Sequence, residues 1–361
     1  MSQSTTSRSK RSRTDSTLGG AARATGTTRN TTPYDPNFEQ TMIDGGVYPP
    51  GYRGRAGERP PKPQNMQELQ AMLGAQRQSL SPSVFREEDF EEFQDRNVQA
   101  SREAGAMADV MPVIAGQQDR QFRPAREVLY TNAAPIVLGV SKPKPDIYYG
   151  APPSQIDVRV RRDLSGQIIP SQQDSLPAAP NFSLEGKSKA GGAEVAQRQV
   201  MNNGAYGARA MHSLKNYGGT SPVYDGNAYT IGATYVDGQL KLYASHPVQV
   251  AGRPTGADYH MTQLDSYAMT GNINGFRQGA AAYRNAREWT QEQRDSFITT
   301  ANANAGAGIH TTDRRSLSSA STRVTSLVSS VNPAPRMSSD TSADELAGPV
   351  TPLKRRRRRR Q

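Results

Sequence analysis

Glu185 and Lys187 stand two apart in residues 181–188, a stretch whose alternation predicts a β-strand. Side chains at i and i+2 of a strand point to one face. The carboxylate and the ammonium therefore project into the same space. Asp146 opens an earlier apolar segment, 146–149, directly after Pro145. If that segment pairs beside the Glu185 strand, Asp146 shares the face. Two carboxylates and the Gly186 carbonyl are the hard oxygen ligands that Mg²⁺ (or Mn²⁺) takes, with water in the other positions. A metal so held lowers the pKa of a bound water and stabilises charge on a scissile phosphate. Lys187 would hold the attacking water or stabilise the developing charge. The competing reading of the same residues is a surface salt bridge across neighbouring strands.

These residues need elements to position them. Residues 83–108 predict a helix capped by Ser83, with acids from Glu87 to Asp95 near its positive end and Phe90, Phe93 and Val98 facing a core. Residues 112–116 close it. Short apolar runs follow at 127–130, 135–140 and 146–149. Residues 150–180, rich in Pro, Gln and Ser, read as a surface insertion with a short strand at 156–160. Gly191-Gly192 then admits a helix over 193–214. Residues 229–235 and 239–244 alternate around Asp237-Gly238, a strong hairpin signal. Helical patterns at 261–269 and 274–301 end the domain. The order predicts an α/β (α+β) domain, a mixed sheet flanked by helices.

Composition bounds the rest. Only 34% of the 361 residues are hydrophobic, too few for a chain packed throughout. The absence of cysteine excludes disulfides, thiolate metal sites and cysteine nucleophiles. The four histidines (His212, His246, His260, His310) lack zinc spacing, and neither a G-x-S-x-G elbow nor a phosphate-binding glycine loop is present. No apolar run approaches the roughly 18 residues that span a bilayer, so no membrane is expected. Nor do apolar residues follow the N-terminal charges as in a secretory leader. The formal charge of +11 is unevenly placed: residues 1–30 carry +5 and Lys354 to Arg360 carry +7, which leaves −1 for everything between.

The chain therefore divides into a disordered basic tail (1–35), a Pro/Gly-rich linker with one short helix at 65–72 (36–80), a folded domain (81–305) and a disordered tail ending in polyarginine (306–361). The clusters at Lys10–Arg13 and 354–360 read as a nuclear import signal for an import receptor. They also suit a phosphate-binding tail for nucleic acid. Attraction to lipid lacks an apolar anchor here.

Pro145-Asp146, then Glu185-Gly186-Lys187, then a helix with Gln197 and Gln199, resembles the PD-(D/E)xK nuclease superfamily. More closely, residues 81–301 resemble an uncharacterised fungal domain family of that superfamily, through the strings FSLEGKSKAGGAEVAQRQ, GAYGARAMHSL, YDGNAYTI, QLKLYASHP and YHMTQLDSYAMTGN. The resemblance implies an αβββαβ core with a metal site on the sheet. It makes Asp146 and Glu185 metal-binding acids and Lys187 the catalytic lysine, with Gln199 supporting the site from the next helix. It implies a Mg²⁺-dependent nuclease acting on nucleic acid, DNA ahead of RNA, or an inactive nuclease fold serving as a nuclear interaction scaffold. An extra acid from the first helix would come from Glu87, Glu88, Glu91 or Glu92. Two departures stand out. Thirty-eight residues separate Asp146 from Glu185, and Asn203 stands four residues after Gln199 where one branch of the superfamily has Tyr.

Overall fold

A computed structural model describes residues 30–100, 102–116, 124–252 and 256–307. The basic clusters at Lys10–Arg13 and 354–360 lie outside them, as do nearly all the residues expected to form disordered tails. The described chain opens with α1 (Phe38–Asp44), β1 (Val47–Tyr48), α2 (Met66–Leu73) and α3 (Glu87–Gln99). A composite helical run follows: α4 (Glu103–Gly105), a π-helical turn (Ala106–Val110) and α5 (Met111–Ala115). Then come β2 (Ala125–Arg126), β3 (Ile147–Ala151), α6 (Val158–Asp163), α7 (Ser165–Ile168), β4 (Ala178–Lys187) and α8 (Ala193–Lys215). The fold ends with β5 (Thr230–Val236), β6 (Gln239–Gln249), β7 (Ala257–Ala268) and α9 (Ile273–Gly306).

All seven strands form one mixed sheet in the order β1-β7-β6-β5-β4-β3-β2. The β4/β5 pair is parallel because α8 crosses over between them. The β5/β6 pair is the expected hairpin, and Asp237 and Gly238 both take positive φ at its turn (45° and 77°). Helices cover both faces. Phe182 and Leu184 of β4 pack with α2, α3, α5 and α9. Ser183, Glu185 and Lys187 alternate to the other face, where α8 lies. Every β4 residue is buried, which suits a central strand covered on both sides.

Several expectations are corrected. Residues 36–80 are not a linker. Phe38, Met42 and Val47 are buried against α8 and β7, β1 adds a parallel strand to the sheet, and Leu69 and Leu73 enter the main core. The first helix starts later than Ser83: Arg86 is its N-cap and Asp89 accepts the Arg86 N–H at 2.7 Å. Val98 is exposed. Pro112 sits at the start of α5, and the run ends at Ala115 with Gly116 as its C-cap, inside the expected closing stretch 112–116. Residues 156–160 begin a helix, with Asp157 capping α6 through the Arg159 N–H at 2.8 Å. Residues 261–269 lie largely in β7, where eleven register pairs with β6 override the helical spacing.

Candidate functional site

β3 begins at Ile147, opposite Leu184 of β4. Continued by one residue, that antiparallel register sets Asp146 opposite Glu185, so both side chains share the α8 face. Gly186 joins them: its N–H donates to Asp146 Oδ2 at 2.7 Å. The N–H and C=O of one strand residue point the same way, so the Gly186 carbonyl also faces the Asp146 edge. Pro145, opposite Gly186 in the same register, has no N–H to offer it. The Asp146 backbone is held in turn by the Glu127 N–H, which reaches the Pro145 and Asp146 carbonyls at 3.1 and 3.2 Å.

A side chain on Gly186 would force Met107 to move. A Cβ would stand 2.5 Å from Met107 Sδ, in the π-helical turn packed on the opposite face. The same helical run brings Glu103 to the corner left open where β3 starts. Glu103 Oε2 accepts from Lys187 Nζ at 2.9 Å, and the Lys187 side chain is only 1% exposed. Asn203 of α8 donates to Glu185 Oε1. The other oxygen, Glu185 Oε2, is buried with no hydrogen-bond partner.

Three carboxylates and one ammonium thus share a nearly dry corner, where Asp146, Glu185 and Lys187 are shifted. Burial raises Asp146 to about 6; Lys187 and the Gly186 N–H pull against that, while Glu103 and Glu127 add to it. Burial also raises Glu185 well above the usual carboxylate range, with Asp146 repulsion adding to it and Lys187 and Asn203 opposing. Burial alone would lower Lys187. Asp146, Glu103 and Glu185 outweigh it and hold the ammonium above its ordinary value. Lys187 is therefore held as a cation at neutral pH, whereas burial favours the neutral form of both Asp146 and Glu185.

The donor set fits a hard cation. Among the described residues no three His, Asp or Glu side chains already stand in a metal-holding group. Mg²⁺ does not require one, because it keeps several waters and uses one or two carboxylates. An orphaned buried carboxylate oxygen is costly unless something binds it. Glu185 Oε2, the Asp146 carboxylate and the Gly186 carbonyl could serve.

Of the residues expected from sequence, Asp146, Glu185, Gly186 and Lys187 come together. Gln199 lies on α8 one turn before Asn203, with a buried, unpartnered Oε1, but the hydrogen bond to Glu185 comes from Asn203. Glu87, Glu88, Glu91 and Glu92 are all exposed on α3, and the acid that reaches Lys187 is Glu103. No motif marks Glu103 in sequence; it lies 84 positions from Lys187. The expected basic rim does not assemble. Arg159, Arg161 and Arg162 ride on α6, which packs toward the Ala178 end of β4, and Arg159 and Arg162 pair with Asp157 and Asp163. Arg198 is held by Glu194 and Glu39. Lys189 alone stays close in sequence, donating to the Val98 carbonyl at 3.3 Å. No helix among the described residues is long and apolar enough to cross a membrane. No protein-family model, curated protein or solved structure matches the chain.

Proposed function

We propose that the Asp146–Glu185–Lys187 corner is the site of a Mg²⁺-dependent phosphodiesterase of PD-(D/E)xK type acting on nucleic acid, DNA ahead of RNA. One observation carries this reading: the β3/β4 register continued by one residue sets Asp146 opposite Glu185, Glu185 keeps an unpartnered buried oxygen, and a charged lysine follows two residues on. The succession α3–α5, β2, β3, β4, α8, β5 also supports it, being the αβββαβ order that the resemblance implies, with α6 and α7 inserted before β4.

Asp146, Glu185 and the Gly186 carbonyl would hold the metal. When bound, Mg²⁺ supplies a water of lowered pKa and neutralises charge at the phosphate. Asn203 locks one Glu185 oxygen and leaves the other free to bind. Lys187 stays protonated, so it donates to a phosphate oxygen or to the attacking water and does not act as a base. Glu103 steadies the Lys187 ammonium before substrate arrives. Purified full-length protein should cleave labelled DNA or RNA with Mg²⁺, and Glu185→Ala should lower the rate on the order of 100-fold or more. Equal cutting by both proteins would sink the reading.

A second reading keeps the fold as a non-catalytic nuclear scaffold. The scattered Arg159, Arg161, Arg162 and Arg198 favour it, since a phosphate-cleaving corner ordinarily has a cationic rim. Under either reading the clusters at Lys10–Arg13 and 354–360 serve nuclear import. Deleting residues 354–360 should move a fluorescent fusion out of the nucleus; unchanged nuclear signal would count against that role.

A further inference from the structure

Residues 52–62, at the far side of the sheet from Lys187, form a second feature that the metal corner does not explain. The segment reads Tyr-Arg-Gly-Arg-Ala-Gly-Glu-Arg-Pro-Pro-Lys. It carries four cations and one acid, a net of +3, in a chain whose residues 31–353 sum to −1. The single acid is used inside the turn. Glu58 Oε2 accepts the Ala56 N–H, the Glu58 carbonyl accepts the Gly54 N–H, and the Gly54 carbonyl accepts the Gly57 N–H, each at 2.9 Å. Gly57 takes φ +86°, and a Cβ on Gly54 would stand 1.8 Å from Glu58 Oε1. The turn therefore needs glycine at Gly57 and is stapled by its own glutamate.

Both ends of the turn are tied down. The Tyr52 ring lies 4.8 Å from Tyr48, which stacks on His260 at 4.9 Å. Pro63 is buried, and the Gln64 N–H donates to the Gly226 carbonyl at 2.9 Å. What remains outward is cationic. Arg53, Arg55, Arg59 and Lys62 are all exposed, and among the described residues none of them has an ion-pair partner. Other arginines differ: Arg77, Arg96, Arg159, Arg162 and Arg198 each meet a carboxylate.

We propose that this arginine turn docks the phosphodiester backbone of a nucleic acid. Guanidinium forks match phosphate oxygens bidentately, and a prefolded turn loses little conformational entropy on binding. A membrane partner is disfavoured because none of the exposed large apolar side chains falls in the segment. Four strand spacings of about 4.8 Å put β1 about 19 Å across the sheet from β4, so the turn adds an anchor outside the metal corner. Docking needs no metal and does not depend on cleavage.

The test uses the full chain carrying Glu185→Ala, with EDTA present, so that cleavage cannot enter. Binding to a labelled DNA duplex is followed by fluorescence anisotropy across a salt series. Replacing Arg53, Arg55 and Arg59 with Gln should weaken low-salt binding about 10- to 100-fold and flatten the slope of log K against log salt by about 2–3, since each phosphate contact contributes about 0.9. Arg55→Glu alone, at the exposed tip, should flatten the slope by about 1 and guards against misfolding of the triple variant. Arg159→Gln with Arg162→Gln, whose charges are already paired, should change neither quantity. Unchanged affinity and slope in both turn variants would overturn the proposal. So would a loss of binding to polyglutamate or phosphatidylserine vesicles with duplex binding intact.

Discussion

Two buried titratable clusters lie on the same sheet and are kept in opposite charge states. At the corner of β3 and β4, Asp146, Glu185, Glu103 and Lys187 surround one another, and mutual attraction keeps the lysine charged despite burial. At the β6/β7 end, His246 and His260 face each other in register with ring centroids 5.7 Å apart. Each leaves a buried Nδ1 unpartnered. Burial pushes both down to about 4, with His260 repelling a charge on His246 and only a bond to the His260 backbone and the Asp225 charge resisting. The same low-dielectric sheet thus tolerates charge where signs alternate and expels it where they do not.

The contrast is broken most severely by removing the cation. Lys187→Met leaves three acids facing one another, and destabilisation of about 3–5 kcal/mol at pH 8 is expected from urea unfolding. Much of it should return at pH 5, where Asp146 and Glu185 take up protons. Equal stability of variant and parent at pH 8 would show that the corner does not depend on its lysine.

Acid should find the histidine end next. The folded pKa of each ring lies near 4 and the unfolded value is 6.5, so the unfolded chain binds more protons in that window. Stability contributed by the neutral pair is complete above 6.5 and is lost as pH falls toward 4, by roughly 3 kcal/mol in sum after relaxation. His246→Leu with His260→Leu should flatten that limb of a stability-against-pH curve. An unaltered limb would place the acid sensitivity elsewhere.

The smallest effect concerns Asp146. Its folded pKa of about 6 lies above the ordinary 3.8, so the folded protein holds the extra proton between those values. Stability from this group is present below 3.8 and declines as pH rises through 6. Asp146→Asn keeps a neutral side chain and should raise metal-free stability at pH 8 by about 1 kcal/mol, a rise of about 2–4 °C in Tm, with little change at pH 4. The same substitution should weaken Mg²⁺ binding, measured by calorimetry, and thereby separate a strained ligand from a structural salt bridge. A lower Tm at pH 8 would contradict the assignment.

The corner was legible in sequence because strand alternation is local: Glu185 and Lys187 share a face wherever they form a strand, and Pro145-Asp146 marks the neighbour. The Asp237-Gly238 hairpin and the helices α8 and α9 were legible for similar reasons. Glu103 was not, since nothing within its short turn records that Lys187 lies beside it. The apolar residues of β7 suit a helix at short range, and only pairing with β6 decides otherwise. Residues 36–80 looked like a tether because proline and glycine dominate them, yet Phe38, Met42, Val47, Leu69 and Leu73 each find a hydrophobic site supplied by distant segments.

The two outermost strands, β1 and β2, are each two residues long. A sheet of seven strands normally presents two long rows of backbone donors and acceptors to any passing extended chain. Here β1 covers only the Tyr259 and His260 positions of β7, so β7 from Met261 to Ala268 has no strand on its outer side among the described residues. The two short terminal strands offer a passing chain little ladder of their own, and the uncovered stretch of β7 is where an added strand would pair.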